Sequence, residues 1–258
     1  MAALRHPTAA EKEEEKRLYF VLRRDFPVSA GSLTRLAARI TWQTLAAALD
    51  GQAPRYLGYD PATQPKIVLR ARDIRQLERA IQETSGFPQA IAAAPDGSPL
   101  FLGLGPACRA ELAPFVRKLQ MLSDETPADA AEIAAMPPGF SGSVLWLFVR
   151  ADARIPYGKL AAQAGHGAFG VLSDLARSTP WLIAEWVADG AHVATKIVPD
   201  LETLNDVYAS ARDAALPASF IVDAGRTVFA EPTPTIVGVG PSAAARLPRS
   251  VLALPDLV

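Results

Sequence analysis

Short apolar runs alternate along the chain with longer segments whose apolar residues recur at helical spacing. A strand-like segment over residues 20–25 precedes a helix-like segment from Leu33, and an apolar strand over residues 65–70 precedes an amphipathic segment from Asp73. Apolar residues at a period of about 3.6 indicate helices, whereas short apolar runs bounded by turn residues indicate strands. This alternation predicts an α/β architecture.

The same order of elements occurs twice, about 127 residues apart. Five segments match in the same order. In the first copy they are residues 20–25 (FVLRRD), the helix from Leu33, the strand over 65–70, the helix from Asp73 and residues 101–106 (FLGLGP). In the second copy they are residues 147–152 (LFVRAD), the helix from Gly158, the strand over 192–198, the helix from Asp200 and residues 236–241 (IVGVGP). Such self-similarity is the signature of an internal repeat. We therefore predict a tandem duplication.

The duplication predicts two repeats, each a small mixed sheet of about four strands with helices on both faces. We expect a flexible acidic arm over residues 1–16, a first repeat over 17–120, a linker over 121–142 and a second repeat over 143–258. The linker is expected because its segment combines Pro, Gly and acidic residues with weak apolar periodicity.

Composition narrows the class of protein. Half of the 258 residues are apolar and 21% are charged, which is typical of a soluble protein with packed cores. No apolar run approaches the roughly 20 residues that cross a bilayer, and the polar N-terminus resembles neither a secretory signal nor a transit peptide. A lone cysteine, Cys108, forms no intrachain disulfide or thiolate metal cluster. We expect a cytoplasmic protein without membrane association or structural zinc.

Charge is distributed unevenly between the repeats. Residues 16–120 contain 15 Lys and Arg against 8 Asp and Glu, a net charge of +7, whereas residues 143–258 contain 9 against 11, a net charge of −2. A basic half indicates either a polyanionic partner or simply a solvated basic surface.

Candidate chemistry lies on the helix that begins at Gly158 in the second repeat. Lys159, Gln163 and His166 follow one another at offsets of four and three, so a helix places them on one face. A lysine in the first turn opposes the helix dipole, which indicates another purpose such as binding a phosphate or polarising a carbonyl oxygen. Taken alone, His166 is more readily explained as a hydrogen-bonded core histidine than as a site residue.

Two further polar positions stand at strand ends in the second repeat. Asp223 ends an apolar strand and enters a tight turn with Gly225, and Thr235 begins the last strand after two prolines. An aspartate here either faces a site or caps the N–H groups of its own turn with Arg226 as its ion pair. The threonine is otherwise an ordinary residue of an edge strand.

Together these segments resemble the archaeal and eukaryotic-type (second) family of peptidyl-tRNA hydrolases over about a hundred residues. The motifs that carry the resemblance are Val149-Arg150-Ala151-Asp152, Gly158-Lys159-Leu160-Ala161-Ala162-Gln163-Ala164-Gly165-His166, Pro199-Asp200-Leu201-Glu202-Thr203-Leu204, Asp223-Ala224-Gly225-Arg226-Thr227 and Thr235-Ile236-Val237-Gly238-Val239-Gly240-Pro241.

The resemblance implies hydrolysis of the ester between a peptide and the 3′ ribose of tRNA, with tRNA as partner and no metal or organic cofactor. Its implied catalytic residues are Lys159, Gln163, His166, Asp223 and Thr235, and the expected substrate-binding residues are Arg150, Tyr157, Gly158, Arg226 and Thr227. We expect Asp223 to orient or activate water and Lys159 to stabilise the oxyanion or a terminal phosphate. The other three catalytic residues would position the ester and the water.

The sequence departs from the family pattern in two places. Tyr157 stands where the family usually has a further lysine, and the first repeat has Arg35, Arg39 and Trp42 at the positions of the lysine, glutamine and histidine. The first repeat is therefore expected to be a catalytically inactive partner in an intrachain pseudo-dimer, with further oligomerisation left open. Its basic surface would hold tRNA phosphates, or it would only cover an apolar face of the second repeat.

Other functions remain open at the level of sequence. The same fold could serve as a non-catalytic module that binds tRNA or a protein, and the same site could cleave another ester or amide. A nucleotide-binding loop at residues 238–241 (GVGP) is disfavoured, because the third glycine and following helix of a dinucleotide loop are missing.

Overall fold

A computed structural model describes residues 14–52, 65–122, 125–225 and 228–258. The expected acidic arm over residues 1–16 lies mostly outside these ranges. In the first half the elements are β1 (Lys16–Arg23), α1 (Ala30–Gln52), β2 (Lys66–Ala71), α2 (Ile74–Glu83), β3 (Gln89–Ala93), β4 (Pro99–Cys108), α3 (Arg109–Val116) and β5 (Gln120–Met121). In the second half they are β6 (Val144–Arg150), α4 (Tyr157–Ser178), α5 (Pro180–Ala188), β7 (His192–Val198), α6 (Leu201–Asp213), β8 (Ala218–Asp223), β9 (Thr233–Ser242), a 3-10 turn (Ala244–Arg246) and α7 (Arg249–Leu252).

Two mixed sheets form, which confirms the predicted α/β class. The strand orders are β3-β4-β1-β2-β5 and β8-β9-β6-β7. In each sheet the first strand of its half pairs in parallel with the second strand and antiparallel with the last long strand. The first sheet has five strands rather than about four, because Gln120 and Met121 pair with Arg70 and Leu69 at the free edge of β2.

Two aspartates begin the outer helices as expected. The side chain of Asp73 accepts a hydrogen bond from the backbone N–H of Gln76 at 2.9 Å, and that of Asp200 accepts from Thr203 at 2.8 Å. These bonds satisfy N–H groups that have no partner within their helix. Each backbone bond is also the main reason why the pKa of its aspartate is lowered.

Helices α1 and α4 form one layer between the two sheets. Their apolar faces belong to a single buried cluster that also includes residues of both sheets, such as Phe20 and Leu147. Separate clusters lie on the outer faces, under α2 and α3 in the first half and under α6 and α7 in the second. The two halves therefore share their largest core rather than contacting through a thin surface.

The expected linker carries more structure than its composition indicated. Ser29 and Ala131 are joined by a backbone hydrogen bond of 2.9 Å, and Ser32 accepts from the backbone N–H of Ile133 at 2.7 Å. Glu132 forms an ion pair with Arg35 and a hydrogen bond with Ser29. This part of the segment is held against the start of α1.

Candidate active site

Close approach between α4 and β9 sets the position of the site. A Cβ atom on Gly238 would lie 2.5 Å from the backbone oxygen of Gly167, a distance that side chains do not reach. Glycine at position 238 therefore lets the helix rest directly on the strand. This contact places the face of α4 that carries Lys159 and Gln163 beside the ends of β8 and β9.

Asp223 is the centre of a hydrogen-bonded network. Its Oδ2 accepts from Lys159 Nζ at 2.8 Å and from Gln163 Nε2 at 2.7 Å, and its Oδ1 accepts from the backbone N–H of Gly225 at 3.0 Å. The side chains of Lys159 and Asp223 are only 12% and 11% exposed, so this ion pair is shielded from solvent. A carboxylate has about four lone-pair sites, and three donors leave one for a further ligand such as water.

Thr235 belongs to the same network but is fully buried behind Gln163. Its hydroxyl donates to Gln163 Oε1 at 2.8 Å, which leaves the amide nitrogen of Gln163 to donate to Asp223. The bond thereby determines which way the amide points. The Thr235 side chain is therefore bonded to Gln163 in the interior, whereas the sequence interpretation expected it to bond to the ester and the water.

A cavity of about 490 Å³ opens in front of this network. From the second half it is lined by Gly158, Lys159, Gln163, His166 and Asp223, among others. The first half contributes another wall, formed by Pro65, Lys66, Ile67, Val68, Met121 and Leu122. Both halves of the chain therefore build the cavity.

Lys66 is a charged residue of the cavity that sequence reasoning missed. Its Nζ lies 3.0 Å from His166 Nδ1, although the two residues are 100 positions apart in the chain. No motif marks Lys66, because it begins an otherwise ordinary strand of the first half. Only the packing of the two halves brings it to the cavity.

The five expected substrate-binding residues lie in different places. Gly158 lines the cavity, whereas Arg150 is occupied by an ion pair with Asp152 at 2.6 Å and a bond to the Pro234 carbonyl at 3.2 Å. The hydrogen bonding that Arg150 donates to the Asp152 carboxylate is also the main reason why the pKa of Arg150 is raised. Arg226 and Thr227 lie outside the described residues.

Tyr157 lies in the contact between the two halves, not in the cavity. It is 3% exposed, and its hydroxyl donates to the backbone oxygen of Val28 at 2.7 Å. Burial raises the pKa of this phenol. The expectation that Tyr157 contacts substrate is corrected accordingly: the side chain at this position docks the first half.

Tyr157→Phe is expected to lower the free energy of unfolding by about 1–2 kcal/mol, because the buried Val28 carbonyl loses its donor. Urea unfolding measures this change. Tyr208→Phe is the matched control, since Tyr208 is half-buried and its ring packs against the ring of Phe220. The centres of the two rings are 5.5 Å apart. Equal free energies of unfolding for both variants would contradict the stabilising role of the Tyr157 bond.

The arrangement suits hydrolysis of a carbonyl compound. A shielded carboxylate with one remaining acceptor site can orient a water molecule, and an adjacent ammonium can stabilise negative charge that develops on an oxygen. Lys159 Nζ also lies 5.2 Å from the ring centre of Phe229, which further restrains it. Within the described ranges, no group of three or more His, Cys, Asp or Glu side chains could hold a metal ion.

Comparison with known proteins supports the resemblance seen in the motifs. The family model described as "Peptidyl-tRNA hydrolase PTH2" matches residues 143–255. The chain is 36% identical over 93 residues to the peptidyl-tRNA hydrolase of Methanocaldococcus jannaschii, covering 36% of this chain and 81% of that protein. It is 35% identical over 101 residues to the peptidyl-tRNA hydrolase of Sulfurisphaera tokodaii, covering 37% of this chain and 83% of that protein.

A eukaryotic relative is matched over a smaller share of its length than the archaeal relatives are. The chain is 38% identical over 98 residues to "Peptidyl-tRNA hydrolase 2, mitochondrial" of Bos taurus, which covers 38% of this chain and 55% of that protein. The chain thus spans about half the length of this relative. Because that relative is named mitochondrial, the cytoplasmic localisation of this chain stays a prediction. None of the helices in the described part of the chain is long and apolar enough to cross a membrane.

Proposed function

Because this chain belongs to the peptidyl-tRNA hydrolase PTH2 family, we propose that its second half hydrolyses the ester of peptidyl-tRNA or of an N-blocked aminoacyl-tRNA. The observation that carries the proposal is the shielded network of Lys159, Asp223 and Gln163 at the cavity. Family membership supplies the substrate class, and the network supplies groups suited to ester hydrolysis.

In the proposed reaction, Asp223 orients the attacking water through its remaining acceptor site. The water oxygen bonds to the ester carbonyl carbon, the bond between that carbon and the 3′ oxygen breaks, and a proton from the water passes to the 3′ oxygen. Lys159 stabilises the negative charge that develops in the transition state. Gln163, oriented by Thr235, holds the carboxylate in place.

The test is the release of N-blocked amino acid from a blocked aminoacyl-tRNA by the purified full-length protein. Turnover by the wild type supports the hydrolase. Measurable tRNA binding without turnover would instead support the alternative, a non-catalytic module on the same fold. Turnover of small N-acyl esters with no activity on the blocked aminoacyl-tRNA would indicate a hydrolase of a different substrate.

We also propose that the first half is a degenerate copy of the second and forms an intrachain pseudo-dimer with it. The matching strand orders of the two sheets and the shared α1–α4 layer support this proposal. Arg35, at the position of the catalytic lysine, is buried and forms an ion pair with Glu132 instead. Among the described residues of the first half, the Lys159–Gln163–Asp223 network therefore has no second copy.

The first half is proposed to bind phosphates of the tRNA. A cavity of about 270 Å³ beside β2 and β5 is lined by Arg24, Arg70, Arg72 and Lys118, together with Gln76 and Gln120. Strand β5 connects this cationic cavity to the proposed catalytic cavity, because Gln120 lines the first and the next residue, Met121, lines the second. Four cations in one cluster suit a polyanion whose affinity depends on phosphate contacts.

Replacing Arg24, Arg72 and Lys118 together by Gln is expected to weaken tRNA binding about tenfold or more. Up to three phosphate contacts are lost, so the dependence of log Kd on log salt should become shallower by up to about three. Filter binding over a range of salt concentrations measures both effects. The control variant replaces Arg212, Arg246 and Arg249 together by Gln, because these three are exposed arginines of the second half. Equal salt dependence in both triple variants would refute the proposed phosphate surface.

A further inference from the structure

Lys66 is a cation that the first half brings to the histidine of the catalytic cavity. It is 6% exposed at the start of β2, and its Nζ lies 3.0 Å from His166 Nδ1. Its aliphatic chain passes close to α4, since a Cβ atom on Gly165 would lie 2.9 Å from Lys66 Cδ. Glycine at position 165 thus leaves the space through which the lysine reaches the cavity.

The chemistry of the two groups assigns the donor and the acceptor of this hydrogen bond. A lysine ammonium has three donors and no acceptor, so His166 Nδ1 must accept. A neutral imidazole that accepts at Nδ1 carries its proton on Nε2. His166 is then a hydrogen-bond donor at its other nitrogen, on a residue that lines the cavity beside Lys159 and Gln163.

We propose that Lys66 is a positioning residue of the active site, supplied by the otherwise inactive first half. It orients His166 and holds it in the tautomer whose Nε2–H donates to an oxygen of the reacting ester. The inference rests on the proposed hydrolase function for its catalytic consequence, whereas the tautomer of His166 is a property of the free protein.

The proposal gives the first half a function within the site itself. The strand that carries Lys66 also forms a wall of the cavity through Ile67 and Val68, and β5 adds Met121. Residues of the first half therefore form part of the cavity beside the proposed reacting groups, and the pairing of the two halves brings the lysine to the histidine. A second half without this partner would lack both the wall and the cation.

The tautomer is tested by nitrogen-detected NMR of the histidine side chains in the full-length protein. The chain has three histidines, and the His166 signals are identified by their loss in His166→Asn. We expect a protonated Nε2 and an unprotonated Nδ1 in the wild type, and a changed tautomer ratio in Lys66→Met. A protonated Nδ1 in the wild type would overturn the proposal, whatever the enzyme's activity.

Kinetics test the catalytic consequence on the blocked aminoacyl-tRNA. Lys66→Met should lower kcat by about ten- to a hundredfold, with KM changed less than about threefold, because the lost donor acts on charge that develops during the reaction. Lys66→Arg should recover part of the rate, since it keeps a donor. An unchanged kcat in folded Lys66→Met would also overturn the proposal.

Lys196→Met is the matched control for these measurements. Lys196 is likewise a strand lysine, 8% exposed, and its Nζ forms an ion pair with Asp256 at 2.9 Å away from the cavity. This control should leave the His166 signals and kcat unchanged even where it lowers stability. If the wild type shows the expected tautomer but no turnover, the hydrolase proposal fails while the Lys66–His166 contact stands. A loss of kcat equal in Lys196→Met and Lys66→Met would show that Lys66 acts only through stability.

Discussion

Asp223→Asn is expected to lower the rate constant of ester hydrolysis by about 10²- to 10⁴-fold, within the range that general acid–base groups contribute. The carboxylate accepts from Lys159, Gln163 and the Gly225 backbone. An asparagine of the same shape carries an NH₂ group where one of these donors points, and it has no negative charge to pair with Lys159. Both the orientation of the water and the position of the ammonium should therefore be lost.

Single-turnover hydrolysis of a blocked aminoacyl-tRNA measures this effect, with tRNA binding measured in parallel. Asp206→Asn is the matched control, because Asp206 is an exposed aspartate in the middle of α6. The control should keep the wild-type rate. If Asp223→Asn hydrolysed the substrate as fast as the control, the proposed role of the network would be wrong.

Gly238→Ala is expected to lower the free energy of unfolding by about 3 kcal/mol, at the upper end of the usual cost of overpacking. The added Cβ would lie 2.5 Å from the Gly167 backbone oxygen and 3.0 Å from a methyl group of Val171. A backbone atom in the middle of a helix cannot swing aside, so α4 must move away from β9. Because α4 carries Lys159 and Gln163, activity should fall along with stability.

Urea unfolding and the hydrolysis assay measure the two consequences. Gly86→Ala is the control, because a Cβ atom there would meet nothing within 4 Å. We expect this control to differ from the wild type by less than about 0.5 kcal/mol. Equal free energies of unfolding for Gly238→Ala and Gly86→Ala would show that the helix does not depend on the close approach.

Local features of the fold were predictable from the sequence. Asp73 and Asp200 were expected to begin helices, and each accepts a backbone N–H bond there. The mixed α/β class followed from alternating strand and helix periodicity. These features are local because a helix cap or a repeat of apolar residues involves neighbours a few positions apart.

Part of the candidate site also follows from local spacing. Lys159, Gln163 and His166 lie on one helix at offsets of four and three, and all three line the cavity. Asp223 at its strand end meets two of them. The motif order pointed to these residues through family resemblance, and comparison supports the family. Their catalytic roles remain proposals.

The remaining features depend on contacts between residues that are far apart in the sequence, either within one half or between the two halves. Thr235 lies behind Gln163, Tyr157 joins the halves, Met121 extends the first sheet, and Lys66 reaches His166. The sequence by itself determined the elements, their order and the polar face of α4, because these depend on neighbours along the chain. Only the tertiary structure decided which distant residues complete the cavity, because contacts across about a hundred positions arise from the shared core of the two sheets.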